Sequence, residues 1–134
     1  MTPPDPSAPE EAVLAQVPAS IADRLRPLLE ERPVPEAVLR SELRSYLGGV
    51  VRRAREQPLL DLPMARDLAD RCGALLDGLA ADAPELHRRL VQAALRYFIL
   101  DDDVESDTGS MTGFDDDAIV VDVVARAVGR EDLI

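Results

Sequence analysis

The sequence has very few of the residues that carry common catalytic chemistry. It contains one cysteine, Cys72, and one histidine, His87, among 134 residues. No intrachain disulfide can form, and a zinc site built from nitrogen and sulfur ligands is excluded because it needs more of them. Cys72 falls in an apolar helical pattern, as a small core residue would, whereas His87 lies in the charged run ELHRR and is predicted to be at the surface. A cysteine–histidine nucleophile is therefore not expected, and no G-x-S-x-G, P-loop or dinucleotide-binding fingerprint occurs.

Lysine is absent, so all fifteen basic residues are arginine, and the net charge is −11. An acidic chain is a poor ligand for phosphate backbones and anionic membranes, so we expect no nucleic-acid partner. No apolar run approaches the ~18 residues of a membrane span. The N-terminus, MTPPDPSAPEE, lacks the basic and apolar regions of a signal peptide. We expect a small soluble bacterial protein of the cytoplasm.

Aromatic residues make up only 3% of the chain, so leucine, valine and alanine must fill its core. Apolar residues recur at helical spacing between the breakers RPVP (32–35), QPLLDLP (57–63) and ADAP (81–84). The β-branched run after Asp117 is ambiguous, but the preceding aspartates, the one-sided apolar pattern and Gly129 favour a helix. The pattern predicts an all-α fold: a compact bundle of about five helices over 18–134, after a disordered acidic and proline-rich tail over 1–17.

The second predicted helix has an apolar stripe opposite a basic side that carries Arg40, Arg44, Arg52, Arg53 and Arg55. Gly48 and Gly49 interrupt it near its middle. Two interpretations of this pair stay open: close packing against a neighbouring helix, or a kink beside a ligand groove.

Charge is distributed unevenly along the chain. Residues 101–134 hold 11 acidic residues against 2 arginines, a net of −9, whereas the first hundred residues are close to neutral. Carboxylate oxygens suit Ca²⁺ or Mg²⁺, and the candidate metal ligands are Asp103, Asp107, Asp116 and Asp117. The loop is not an EF-hand, because Thr108 and Phe114 stand where that motif requires glycine and glutamate. The alternative is a solvated loop whose aspartates cap helices and pair with arginines.

The stretch from Leu95 to Val124 resembles the YkvA-like family, also called DUF1232. RYFIL ends a helix, DVESD (103–107) stands where the family has D-x-x-P-D, and GFDDDA supplies Gly113, Asp116, Asp117 and Ala118. Ser106 replaces the family's proline. The resemblance implies a small helical protein with a C-terminal helical hairpin over about 86–129, and no established reaction. Many relatives look membrane-associated, but polar residues such as Glu105 and Thr108 favour a soluble protein here.

Two classes of function follow from these observations. The first is a non-enzymatic protein-interaction or regulatory module that binds an unidentified protein, with a homo-oligomer also possible. Its predicted interaction residues are Arg40, Arg44, Asp101, Asp102, Glu105 and Asp115. The alternative is a divalent-metal-binding domain or a metal-dependent hydrolase, in which Ca²⁺ or Mg²⁺ bound by the four candidate carboxylates would stabilise the loop or activate water.

Overall fold

The structure, a computed structural model, describes residues 8–58, 60–79, 81–105 and 114–134, with the backbone alone at 8–9 and 100–105. The all-α prediction is confirmed, since these residues form helices and no strand. The elements in chain order are α1 (Ala8–Leu14), α2 (Ala19–Leu29), α3 (Glu36–Glu56), α4 (Leu62–Asp77), α5 (Glu85–Glu105), α6 (Asp115–Ala127) and a 3₁₀ turn (Glu131–Leu133).

The number and extent of the helices differ from the prediction at the N-terminus. Residues 8–17 were expected to belong to a disordered tail, but they contain α1, whose Val13 and Leu14 are buried in the main core together with Val17. The prolines misled the sequence interpretation because they all precede residue 10, whereas the apolar residues that pack lie beyond it. The remainder of the predicted tail, residues 1–7, lies outside the described part of the chain.

Helix α5 is the central helix and packs against α2, α3, α4 and α6. Its residues from Leu90 to Leu95 are all buried, as are Tyr97 and Phe98. A buried leucine or phenylalanine contributes about 1.5–3 kcal/mol relative to an exposed one. This helix therefore supplies more buried apolar residues than any other described helix. Cys72 is buried within the same core, as predicted.

Contacts between helices fix their directions. Val34 pairs with Gln92 before α3 begins, and Tyr46 pairs with Phe98 further along, so α3 and α5 run parallel. Arg40 near the start of α3 pairs with Asp77 at the end of α4, so α4 runs the opposite way. The C-terminal ends of α3 and α5 therefore lie at one end of the bundle, with the start of α4.

Helix α6 begins at that same end. The ring of Phe114, immediately before α6, lies 6.1 Å from the ring of Phe98. Beyond the other end of α6, Arg130 donates to the carbonyl of Ala74 near the end of α4. We call the end that holds the C-termini of α3 and α5 and the start of α6 the charged end.

The helix termini follow local chemistry. The Asp61 side chain accepts a hydrogen bond from the Met64 amide at the start of α4. Gly129 ends α6 as predicted: its φ of +80° suits a residue without a Cβ, and the Arg130 amide donates back to the Ala125 carbonyl over 2.7 Å. Phe114 occupies the N-cap of α6, so the three aspartates occupy its first turn instead of capping it.

Gly48 and Gly49 do not mark a close helix contact. Helix α3 runs unbroken through both residues. Among the described residues, no atom lies within 4 Å of a Cβ placed at Gly48, and only the side chain of Arg52 comes that near at Gly49. The close-packing interpretation is therefore wrong for the part of the chain that the structure describes, and Gly48 faces solvent.

Two polar side chains of α5 hold the connection between α2 and α3. The buried amide of Gln92 accepts from the Val34 amide over 2.8 Å and donates to the Arg32 carbonyl over 3.0 Å. One turn later, Arg96 pairs with Glu31 and with Glu42. Because prolines interrupt this connection and no helix or sheet satisfies its backbone groups, the Gln92 side chain takes that role. Arg96 instead joins the connection and α3 to α5 through carboxylates.

Replacing Gln92 with leucine keeps its approximate volume and removes both hydrogen bonds. We expect the free energy of unfolding to fall by about 1–3 kcal/mol, the cost of leaving buried polar groups unpaired. Urea denaturation would measure the change. Gln16→Leu is the matched control, because the Gln16 side chain is exposed and bonds only within its own turn. Equal stabilities for the two variants would contradict the role assigned to Gln92.

Candidate interaction surface

The structure places the predicted acidic residues at the charged end. Asp101, Asp102, Asp103 and Glu105 lie in the last turns of α5, where the structure describes their backbone. Asp107 lies outside the described residues. The acidic residues on α6 follow it in sequence and occupy the first turn of that helix. The two acidic runs therefore flank one end of the bundle, as their sequence positions predicted.

The three aspartates of α6 have different environments. Asp115 and Asp116 are exposed and form no ion pair with any described residue. Asp117 is only 1% exposed and is buried in the core near Cys72, whose thiol pKa its charge raises. All three benefit from the positive end of the helix dipole. Only the first two, however, are accessible to another molecule.

The basic side of α3 also divides into two parts. Arg40 pairs with Glu36 and Asp77 at the opposite end of the bundle, so it has intramolecular partners, and its predicted role in an interaction surface stays a prediction. Those carboxylates raise the pKa of the Arg40 guanidinium. Further along α3, Arg44, Arg52 and Arg55 are exposed, and within the described residues they form no ion pair.

Aromatic rings join the helices beneath the charged end. Phe98 on α5 is buried, with the Tyr46 ring edge-on at 4.9 Å and the Phe114 ring tilted at 6.1 Å. Because both rings contact Phe98, α3 and the start of α6 both pack against α5 at this end. The exposed arginines of α3 and the exposed aspartates of α6 are consequently held on one rigid base.

A cleft of about 290 Å³ opens at the opposite end, and the sequence did not predict it. His87 lines it and is half-buried, so the expectation of a surface histidine is only partly right. Arg130 forms one wall and is fixed by Asp132 and by the Ala74 carbonyl. It lies where a Cβ at residue 78 would be, so Gly78 makes room for it. The cleft was missed because its walls come from two distant parts of the chain, residues 75–87 and 128–130.

Comparison with known protein families, with curated proteins and with solved structures finds no match in any of the three. The resemblance to the YkvA-like family thus stays a prediction. In the described part of the chain, no helix combines the length and apolar composition needed to cross a membrane.

The metal hypothesis gains no support from Asp116 and Asp117, the two candidate ligands whose side chains the structure describes. Among the described residues, no three histidine, cysteine, aspartate or glutamate side chains gather as an ion site requires. Asp116 is exposed while Asp117 is buried, so these neighbours do not present their carboxylates to the same environment. The placement favours a structural role for Asp117 and a solvent-facing role for Asp116.

We therefore expect thermal melts in EDTA and in millimolar Ca²⁺, Mg²⁺ or Mn²⁺ to superimpose. An ion present at a hundred times its Kd would add about 2.7 kcal/mol, which raises Tm by roughly 10 °C in a domain of this size. Such a rise with one ion, abolished by Asp116→Asn, would restore the metal hypothesis. Differential scanning calorimetry at fixed ionic strength makes the comparison.

Burial makes Cys72 an unreactive thiol. Desolvation, and then the charge of Asp117, raise its pKa from an ordinary 9.0 to about 12. Above pH 9 the unfolded thiol ionises while the folded one stays neutral, so stability falls as pH rises between these two values. We expect wild type to lose about 1 kcal/mol more than Cys72→Ala between pH 9 and 10. Urea denaturation of both proteins at each pH tests this, and parallel losses would contradict it.

Proposed function

We propose that this chain is a non-enzymatic protein-interaction module of the cytoplasm, which binds a cationic protein surface through its acidic C-terminal region. The observation that carries the proposal is the exposure of Asp115 and Asp116 at the start of α6, with no ion pair to any described residue. Exposed carboxylates on a rigid helix end form a surface that arginine or lysine side chains of a partner would complement.

Other acidic residues of the bundle differ from Asp115 and Asp116 because they form ion pairs with arginines of the same chain. Asp122 on α6 pairs with Arg71 over 2.7 Å, and Glu31 and Glu42 share Arg96. Those carboxylates link helices to one another and are not available to a partner. Residues 101–134 hold most of the net negative charge, −9 of a total of −11. Among their carboxylates whose side chains the structure describes, Asp117 is buried and Asp122 and Asp132 pair with arginines, which leaves Asp115 and Asp116 as the exposed, unpaired carboxylates at the start of α6.

The placement of the two potential nucleophilic residues supports a binding role over an enzymatic one. Cys72 is fully buried, and burial raises the pKa of its thiol. His87 lines the cleft at the other end of the bundle, and Cys72 is not among the residues that line it. The pair that a thiol nucleophile would need is therefore not assembled.

The test is recovery of a partner from native lysate on the immobilised protein, first at low salt and then at about 0.5 M salt, where charge pairs are screened. We expect a salt-sensitive partner to be retained by wild type and lost from the double variant Asp115→Asn, Asp116→Asn. The matched control is Asp82→Asn, Glu131→Gln, which removes the same charge from exposed residues at the opposite end.

Quantitative mass spectrometry of the retained proteins distinguishes the outcomes. Loss of the partner from the first variant alone assigns binding to the start of α6. Equal retention by both variants, or no partner at low salt, would refute the proposal. Circular dichroism melts of each variant ensure that lost binding does not reflect unfolding.

A further inference from the structure

We propose that the cleft at the end of the bundle opposite the charged end binds a zwitterionic small molecule, an α-amino acid with an aliphatic side chain. In this assignment Arg130 receives the carboxylate of the ligand, Asp82 receives its ammonium group, and the apolar walls receive its side chain. The inference goes beyond the proposed function and does not rest on it, because partner binding is assigned to residues at the other end of the bundle.

Arg130 presents to the cleft a guanidinium group that the fold already holds in place. Its Nε and Nη2 atoms each donate to a carboxylate oxygen of Asp132 over 3.1 Å, and its Nη1 atom donates to the Ala74 carbonyl over 3.3 Å. These bonds use three of the five N–H donors of a guanidinium, so two donors remain without a described partner. A side chain that is fixed in this way loses little further freedom when it binds a carboxylate.

Gly78 makes this position of Arg130 possible because it has no side chain. A Cβ at residue 78 would overlap the Nη1 atom of Arg130. The backbone of Gly78 has φ −79° and ψ −10°, a conformation that any residue can adopt, so the backbone itself does not require glycine. The feature that requires glycine here is the guanidinium group at the wall of the cleft.

Asp82 supplies the opposite charge. Its side chain lines the same cleft, is exposed, and forms neither a hydrogen bond nor an ion pair with a described residue. Because Asp132 already balances the charge of Arg130, a ligand with a carboxylate alone would be repelled by Asp82. A ligand with an ammonium group alone would leave the two donors of Arg130 unused. A zwitterion satisfies both groups, so an amino acid is favoured over a simple acid or a simple amine.

Aliphatic side chains form much of the remaining wall. Leu75, Leu79 and Val128 line the cleft, and no phenylalanine or tyrosine is among its described lining residues. The volume of about 290 Å³ lies near the lower limit of small-molecule sites, which span roughly 300–1,000 Å³. Half-buried His87 adds an imidazole with no described partner, which can donate to a ligand oxygen. These walls suit a short branched aliphatic group beside polar atoms.

The single histidine of the chain makes an experiment specific to the cleft possible. The imidazole C–H signals of His87 in NMR spectra of the full chain report on this site, and leucine is the ligand probe. Two analogues separate the two charges of leucine: 4-methylpentanoate lacks the ammonium group, and 3-methylbutylamine lacks the carboxylate. All three compounds are titrated at the same pH and ionic strength.

We expect leucine to shift the His87 signals saturably, with a Kd on the order of 1 mM. Each analogue should bind at least about tenfold more weakly, because it loses a charge-assisted contact. Asp82→Asn should reduce the affinity for leucine to that for 4-methylpentanoate, whose own affinity should not fall. The matched control is Asp23→Asn, which removes the same charge from an exposed residue of α2 that does not line the cleft.

Gly78→Ala tests the role of the guanidinium group. The added methyl group displaces Arg130, so leucine should bind at least about tenfold more weakly and no better than 3-methylbutylamine does. Gly48→Ala is the matched control, because it adds the same methyl group where no described atom lies within 4 Å, and it should keep the wild-type Kd. Circular dichroism melts establish that each variant is folded.

The inference is overturned if leucine at about 20 mM leaves the His87 signals unmoved, or if either analogue binds as tightly as leucine. It is also overturned if folded Gly78→Ala or Asp82→Asn binds leucine as tightly as its control. Arg130 would then serve only to join the C-terminal segment to α4. Should Gly78→Ala fail to fold, Asp82→Asn decides the question, because the Asp82 side chain forms no hydrogen bond with a described residue.

Discussion

Helix α5 passes through the middle of the molecule, and the burial of its apolar residues beside two polar ones determines how the other helices are arranged. Gln92 and Arg96 lie one turn apart and reach the same connection, the proline-containing segment between α2 and α3. A buried amide that satisfies two backbone groups fixes that segment in position more strictly than apolar packing would. Its position in turn sets α3 parallel to α5, and the remainder of the bundle follows from that direction.

The end of the bundle at which the exposed arginines of α3 lie depends on this parallel pairing. If α3 ran antiparallel to α5, its exposed arginines would lie near the cleft at the other end, far from the aspartates of α6. Instead, Tyr46 meets Phe98 at 4.9 Å and brings the C-terminal part of α3 to the charged end. The exposed arginines and aspartates thus lie at the same end of the bundle without being paired to each other among the described residues. Such an arrangement leaves both signs of charge available to a partner.

Arginines have two different roles in this lysine-free chain. Arg71, Arg96 and Arg130 are partly buried and join helices or helix ends through carboxylates and carbonyl groups. The planar guanidinium, with five N–H donors, suits such multiple contacts better than an ammonium group would. Arg52 and Arg55 instead remain exposed, as do the aspartates that face solvent. The residue type is the same in both groups. The position of an arginine in the fold therefore decides whether it joins helices or remains exposed to solvent.

The sequence by itself determined the helical class, the approximate helix boundaries, the stop at Gly129 and the concentration of negative charge near the C-terminus. These properties depend on local periodicity, turn residues and composition, which can be read without knowing which helices meet. Only the tertiary structure decided that α1 packs into the core, that Arg40 pairs internally, that Gly48 is exposed and that His87 lines a cleft. It also decided that the arginines of α3 share an end with the aspartates of α6. Each of these depends on the direction in which one helix packs against another, and that direction is set by contacts between residues such as Val34 and Gln92, which are far apart in the chain.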